Sequence, residues 1–150
     1  MKIQKIEKNK QNIKSLPLGM QTFSTIIESD YIYLDKTSYI YDLIREDHGV
    51  YFLSRPRRFG KSLLIDTIKE IFECKKELFK NLWIYDKWNW DDKYNVIRID
   101  FSSIKPKDTD QFISSINTII NQIASKNNIN LIENIYYERF QELIQKLHEK

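Results

Sequence analysis

The chain has 150 residues, of which 41% are apolar and 13% aromatic, enough to bury a core and to exclude disorder, and a length that suits a single domain. A single cysteine, Cys74, excludes an internal disulfide or a multi-cysteine metal site, and the two histidines, His48 and His148, stand too far apart in sequence to suggest a cluster. A net charge of +3, from 24 basic and 21 acidic residues, is too mild to indicate nucleic-acid binding by itself. No apolar run approaches the length of a bilayer span, and Met1–Ser15 lacks the apolar stretch of a secretory signal, so the sequence reads as a soluble, cytoplasmic protein.

In chain order, residues 1–14 read as a flexible basic leader. Gly19 closes an early turn after Leu16-Pro17-Leu18. A short helix is predicted over Thr22–Ser29, with Phe23, Ile26 and Ile27 on one face. Tyr31–Leu34 alternates like a strand, and Lys36–Arg45 returns to helical spacing through Tyr39, Ile40, Leu43 and Ile44. Val50–Leu53, a continuous apolar run after Gly49, suits a strand buried on both faces. Ser62–Glu73 is helical, and Asn95–Phe101 is a second strand candidate whose Arg98 favours a sheet edge. Thr109 can cap a helix carrying Phe112, Ile113, Ile116, Ile119, Ile120 and Ile123, which Asn127 or Asn128 can stop in a left-handed turn. A last helix is expected from about Leu131 to the end. Strands alternating with helices imply an α/β fold with a parallel sheet. For such a fold the sequence ends early, with two helices after the last strand.

The chemistry concentrates in Ser54-Arg55-Pro56-Arg57-Arg58-Phe59-Gly60-Lys61-Ser62. A strand candidate, a loop ending in Gly-Lys-Ser and a helix follow one another as in a P-loop. Backbone N–H groups at a helix start attract phosphate, and the macrodipole adds to that attraction. Gly60 permits close backbone approach, Lys61 would reach the outer phosphates, and the Ser62 hydroxyl would coordinate Mg²⁺. Arg57, Arg58 and Phe59 complete the phosphate-holding loop. Arg55 stands where the usual pattern has its first glycine. The alternative is a basic turn, Arg55–Lys61, that serves a nucleic-acid-binding or protein-interaction module.

These residues carry a resemblance. Leu16-Pro17-Leu18-Gly19, Tyr33-Leu34-Asp35-Lys36-Thr37 and the run Tyr51–Ser62 resemble the AAA-ATPase-like family of P-loop proteins, whose members are often fused to a PD-(D/E)XK nuclease-like domain. Leu78–Leu82 and Val96–Ser102 also match that family's pattern. The resemblance runs from about Leu16 to the end and implies a P-loop NTPase-like core of parallel sheet with flanking helices, incomplete at its C-terminus. Residues 15–150 then correspond to the N-terminal part of the nucleotide-binding domain, without the Walker B strand and the later elements. The family normally has arginine at the position of Arg55.

The resemblance further implies ATP and Mg²⁺ as cofactors and a variant Walker A loop, with little or no hydrolysis in the absence of the Walker B acids. It also implies nucleic acid as a partner through the nuclease-like domain. Association through an exposed face of the last helix is a further expectation. Asp100 ends a strand candidate like a Walker B acid, but an acid bonding the amides beside Ser102 explains it as well. Tyr31, Tyr33, Tyr39 and Tyr41 stand where such proteins flank adenine, with core packing as their plainer role. Trp83, Trp88 and Trp90 read as a cap on the core, and Cys74 as inert.

Overall fold

The computed structural model describes residues 14–46, 49–102 and 104–150. The leader, Lys14 apart, and His48 lie outside the described residues. The chain divides into two compact units, one through Tyr94 and one spanning Asn95–Lys150.

The first unit holds α1 (Phe23–Glu28), α2 (Thr37–Ile44), α3 (Lys61–Phe72) and two single 3₁₀ turns, Lys76–Phe79 and Trp83–Asp86. It is preceded by the expected turn, in which Met20 N donates to Pro17 O and Gly19 supplies a φ of 74°. Apolar residues three and four apart put Phe23, Ile40 and Ile71 into one core with Phe79 and Ile84. The rings of Phe23 and Phe79 stack at 4.7 Å, and Trp90 lies 5.2 Å from Phe79. Burying each such side chain stabilises the unit by roughly 1.5–3 kcal/mol. Trp88 and Trp90 pack on this core as expected, while Trp83 stays half exposed with its ring edge-on to Tyr41.

Carboxylates tie the unit together. Neither α1 nor α2 is capped by its own N-cap side chain. Phe23 N at the start of α1 donates instead to the buried Asp66 of α3, at 2.7 Å. Asp35 accepts the amide and hydroxyl of Thr37 through one oxygen and the Trp83 amide through the other. The fully buried Thr37 hydroxyl in turn accepts the Ile84 amide. Asp35 and Thr37 thereby hold the start of α2 against the second 3₁₀ turn. On α3, burial would lower the Lys69 pKa, but its hydrogen bond to Glu70 and the surrounding carboxylate charge leave it raised. Helices α1 and α3 end alike, in left-handed residues Asp30 and Cys74. In each, paired amides fold back onto the last turn: Tyr31 N to Ile26 O, and Lys75 N to Glu70 O.

The second unit is a pair of helices, α4 (Thr109–Lys126) and α5 (Tyr136–His148), packed through Ile120, Ala124, Leu143 and Leu147. The cap of α4 is Asp108, one residue before the expected Thr109, and its carboxylate accepts Gln111 N at 2.7 Å. Asn128, with φ 53°, makes the expected left-handed stop. Helix α5 starts at Tyr136 rather than Leu131, because the Glu142 carboxylate accepts the amides of Ile132 and Glu133 and holds them out of the helix. Hydrogen bonds from Lys146 and from those amides hold the Glu142 carboxyl down to about 2.

The expected α/β fold is not what forms: the described residues contain no strand and no parallel sheet, only helices and extended connections. A strand exists through a hydrogen-bonded ladder to a neighbour, and none of the three candidates has one. Val50 and Phe52, expected inside a sheet, are 103% and 93% exposed. In Tyr31–Leu34 the alternation survives as burial, with Tyr31 and Tyr33 half-buried and Ile32 and Leu34 exposed. One backbone bond there, Ile32 N to Ser15 O, stands where a ladder was expected. Asn95–Phe101 is likewise extended, with Ile97 against the second core and the Asn95 side chain donating to Leu147 O. Among the described residues no helix is long and apolar enough to cross a membrane.

Candidate functional site

Between Leu53 and the first turn of α3 the chain carries Arg55, Arg57 and Arg58, with Lys61 opening the helix, and residues 48–65 contain no carboxylate. Ser54–Gly60 is exposed, and Lys61 and Ser62 are half-buried where the helix begins. Two residues turn the backbone through the left-handed region: Arg58 at φ 67° and Gly60 at φ 74°. At Gly60 this conformation suits glycine; at Arg58 it costs about 1–2 kcal/mol of backbone strain. Arg55 is not among the left-handed residues. Its backbone makes no demand for glycine, so a side chain is tolerated where the common pattern has none.

Lys61 closes the loop on itself. Its Nζ donates to the carbonyls of Arg55 and Pro56, at 2.5 and 2.8 Å, so that the helix start is tied to the loop's first residues. Among the described residues no carboxylate forms an ion pair with Lys61 or with the three arginines.

The start of α3 is unlike the others. Its N-cap residue is Gly60, without a side chain to cap with, and its first turn contains no acid. Carboxylates stand at the other α-helix starts: Asp66 on α1, Asp35 on α2, Asp108 with Asp110 on α4, and Glu138 in the first turn of α5. A Cβ added at Gly60 would meet nothing within 4 Å, so the space above the helix end is open. Open amide donors, the positive end of a helix dipole and four cations form a donor set that fits a phosphate chain. The Ser62 hydroxyl, one residue into the helix, suits Mg²⁺ as a hard oxygen ligand. Among the described residues no group of three or more His, Cys, Asp or Glu side chains is placed to hold a metal.

Arg57, Arg58, Phe59, Gly60, Lys61 and Ser62 are therefore contiguous at one helix start, Phe59 being exposed beside the two arginines. The other candidates fall elsewhere. Asp100 accepts the Ser102 amide at 2.8 Å, and that bond draws its carboxyl below the usual range. Tyr33 packs edge-on against Phe23, and burial pushes its phenol up. Tyr41 packs beside Trp83 and Trp88, whereas Tyr39 is 76% exposed. Burial and then the charge of Asp92 push the Cys74 thiol up, away from the reactive thiolate. The residue that sequence reasoning passed over is Asp66. An acid inside the apolar run of α3 was the available signal, since a buried carboxylate requires a donor.

The family described as predicted AAA-ATPase matches residues 17–150 of this chain. A protein from Azotobacter chroococcum mcd 1, described as an uncharacterized protein in the vnfD 5′ region, is 40% identical over 136 residues. That match covers 90% of this chain and 26% of the relative, so the chain spans about a quarter of that protein's length. No solved structure matches the chain.

Proposed function

This chain belongs to the AAA-ATPase-like family, and on that premise we propose that it binds ATP, with Mg²⁺, through the loop and helix start at Arg57–Ser62. The observation that carries the reading is the start of α3, where a first turn without an acid, opening on Lys61, follows a loop with three arginines. Backbone amides from Arg57 to Ser62 and the Lys61 ammonium hold the phosphates, Arg57 and Arg58 add charge from the rim, and the Ser62 hydroxyl holds the metal. Mg²⁺, if bound, would be held on the chain's side by the Ser62 hydroxyl and would supply positive charge against the phosphates.

Residues 15–150 act on this reading as the N-terminal part of a longer nucleotide-binding domain, in the cytoplasm. Little turnover is proposed for these 150 residues. Asp100, the acid that the sequence offers as a metal organiser, accepts a backbone amide in a turn instead.

The test is thermal. Mg²⁺–ATP at about 100 times its Kd stabilises the folded chain by about 2.7 kcal/mol, a rise in melting temperature of roughly 5–10 °C. Lys61→Ala removes the rise. A wild-type chain that melts at the same temperature with and without millimolar Mg²⁺–ATP refutes the reading.

A further inference from the structure

We propose that the helix pair of the second unit is one half of a homodimer, in which a second copy of this chain covers the apolar side that α4 and α5 leave open. The dimer does not depend on the nucleotide reading. The apolar stripe of α4 is wide, running from Ile116 and Ile119 round to Ile120 and Ala124, and one partner helix covers only part of it. Ile120 and Ala124 meet Leu143 and Leu147 in the core. Beside that core lies a groove of about 330 Å³, lined chiefly by Ile116, Ile119, Phe140, Phe101, Tyr136 and Tyr137. Among the described residues no charged side chain lines it.

Area and charge select the occupant. Phe101, Phe112, Tyr136 and Tyr137 are each between 40% and 54% exposed. Four rings of about 200 Å² each therefore leave roughly 400 Å² of aromatic surface in water. Phe112 stands one turn before Ile116, and the half-exposed Ile144 one turn after Phe140, so the face continues along both helices. A standard interface buries about 800 Å² on each partner and is a little over half apolar. The face supplies that apolar half. Its half-exposed walls suit a protein surface, whereas a small ligand needs enclosing. Residues 95–150 carry seven basic and seven acidic side chains, so a second copy meets no net repulsion there. The net charge of +3 belongs wholly to residues 1–94. A two-fold axis across the groove joins two helix pairs into a closed four-helix bundle, each copy giving the same residues.

The experiment measures the mass of the full chain by sedimentation between about 1 and 100 μM. The expected result is a passage from one chain to two within that range, with no larger species. Tyr137→Glu and Phe101→Glu each place a charge on the face, and each is expected to weaken the dimer about tenfold or more, with circular dichroism showing a folded chain. Phe52→Glu, at a 93% exposed position of the first unit, is the control and is expected to leave the dimer intact. If the face variants fail to fold, the wild-type series and this control still decide. A chain that stays single at the highest concentration overturns the inference and leaves the face to a different partner. Association that Phe52→Glu abolishes, or that grows beyond two chains, overturns it as well. None of these results bears on ATP binding, which Lys61→Ala tests.

Discussion

Helices α3 and α4 share an apolar stripe and a polar back, yet they begin in opposite ways. At α4 the amides of the first turn meet the Asp108 carboxylate, with Asp110 adding charge of the sign the dipole favours. At α3 the corresponding place holds Gly60, with no side chain and no acid in the turn that follows. The first arrangement completes a helix from within the chain. The second leaves the same electrostatic demand for a ligand to meet, and surrounds it with cations that would repel nothing anionic. A helix start that is unfinished in this way forgoes a few tenths of a kcal/mol of capping in exchange for a place where phosphate fits.

Three substitutions sharpen or break this contrast. The largest effect on stability is expected from Gly60→Ala. Its Cβ has room, but φ 74° does not suit an L side chain, so the chain loses about 1–2 kcal/mol in denaturant melts. A melt unchanged from wild type would mean that the left-handed turn is not kept in solution. Next, Asp108→Ala should cost about 1 kcal/mol through the lost cap and leave ATP affinity unaltered. A change in affinity would show that the two helix starts are not independent. The smallest effect is the most telling. Ser62→Asp places an acid in the first turn of α3, which should stabilise the free chain by about 0.3–1 kcal/mol while abolishing ATP binding. If it destabilises the chain and spares binding, the contrast between the two helix starts is wrong.

Much of this contrast is written in side chains. The helices were legible because apolar residues three and four apart, as in Leu64, Ile68 and Ile71, leave one physical solution. Gly-Lys-Ser after a basic run marked the loop. The sheet was misjudged for a related reason. An apolar run such as Val50–Leu53 signals a preference for burial, but it does not state that a neighbouring backbone or a covering surface will supply it, and here Val50 and Phe52 stay exposed. The Lys61 contacts were illegible in principle, because their acceptors are backbone carbonyls, which every residue has. The start of α5 was obscured by Glu142, whose bonds to Ile132 and Glu133 reach ten and nine residues back along the chain.

The Asp66 bond to Phe23 N has a consequence in time. Helix α1 has six residues, too few to persist alone in water. The acceptor for its first amide lies 43 residues further along the chain. During synthesis or refolding α1 therefore waits for α3, and the loop between them must close before either is secure. The two helices are therefore expected to open as one cooperative unit, with their amide protons exchanging with solvent together.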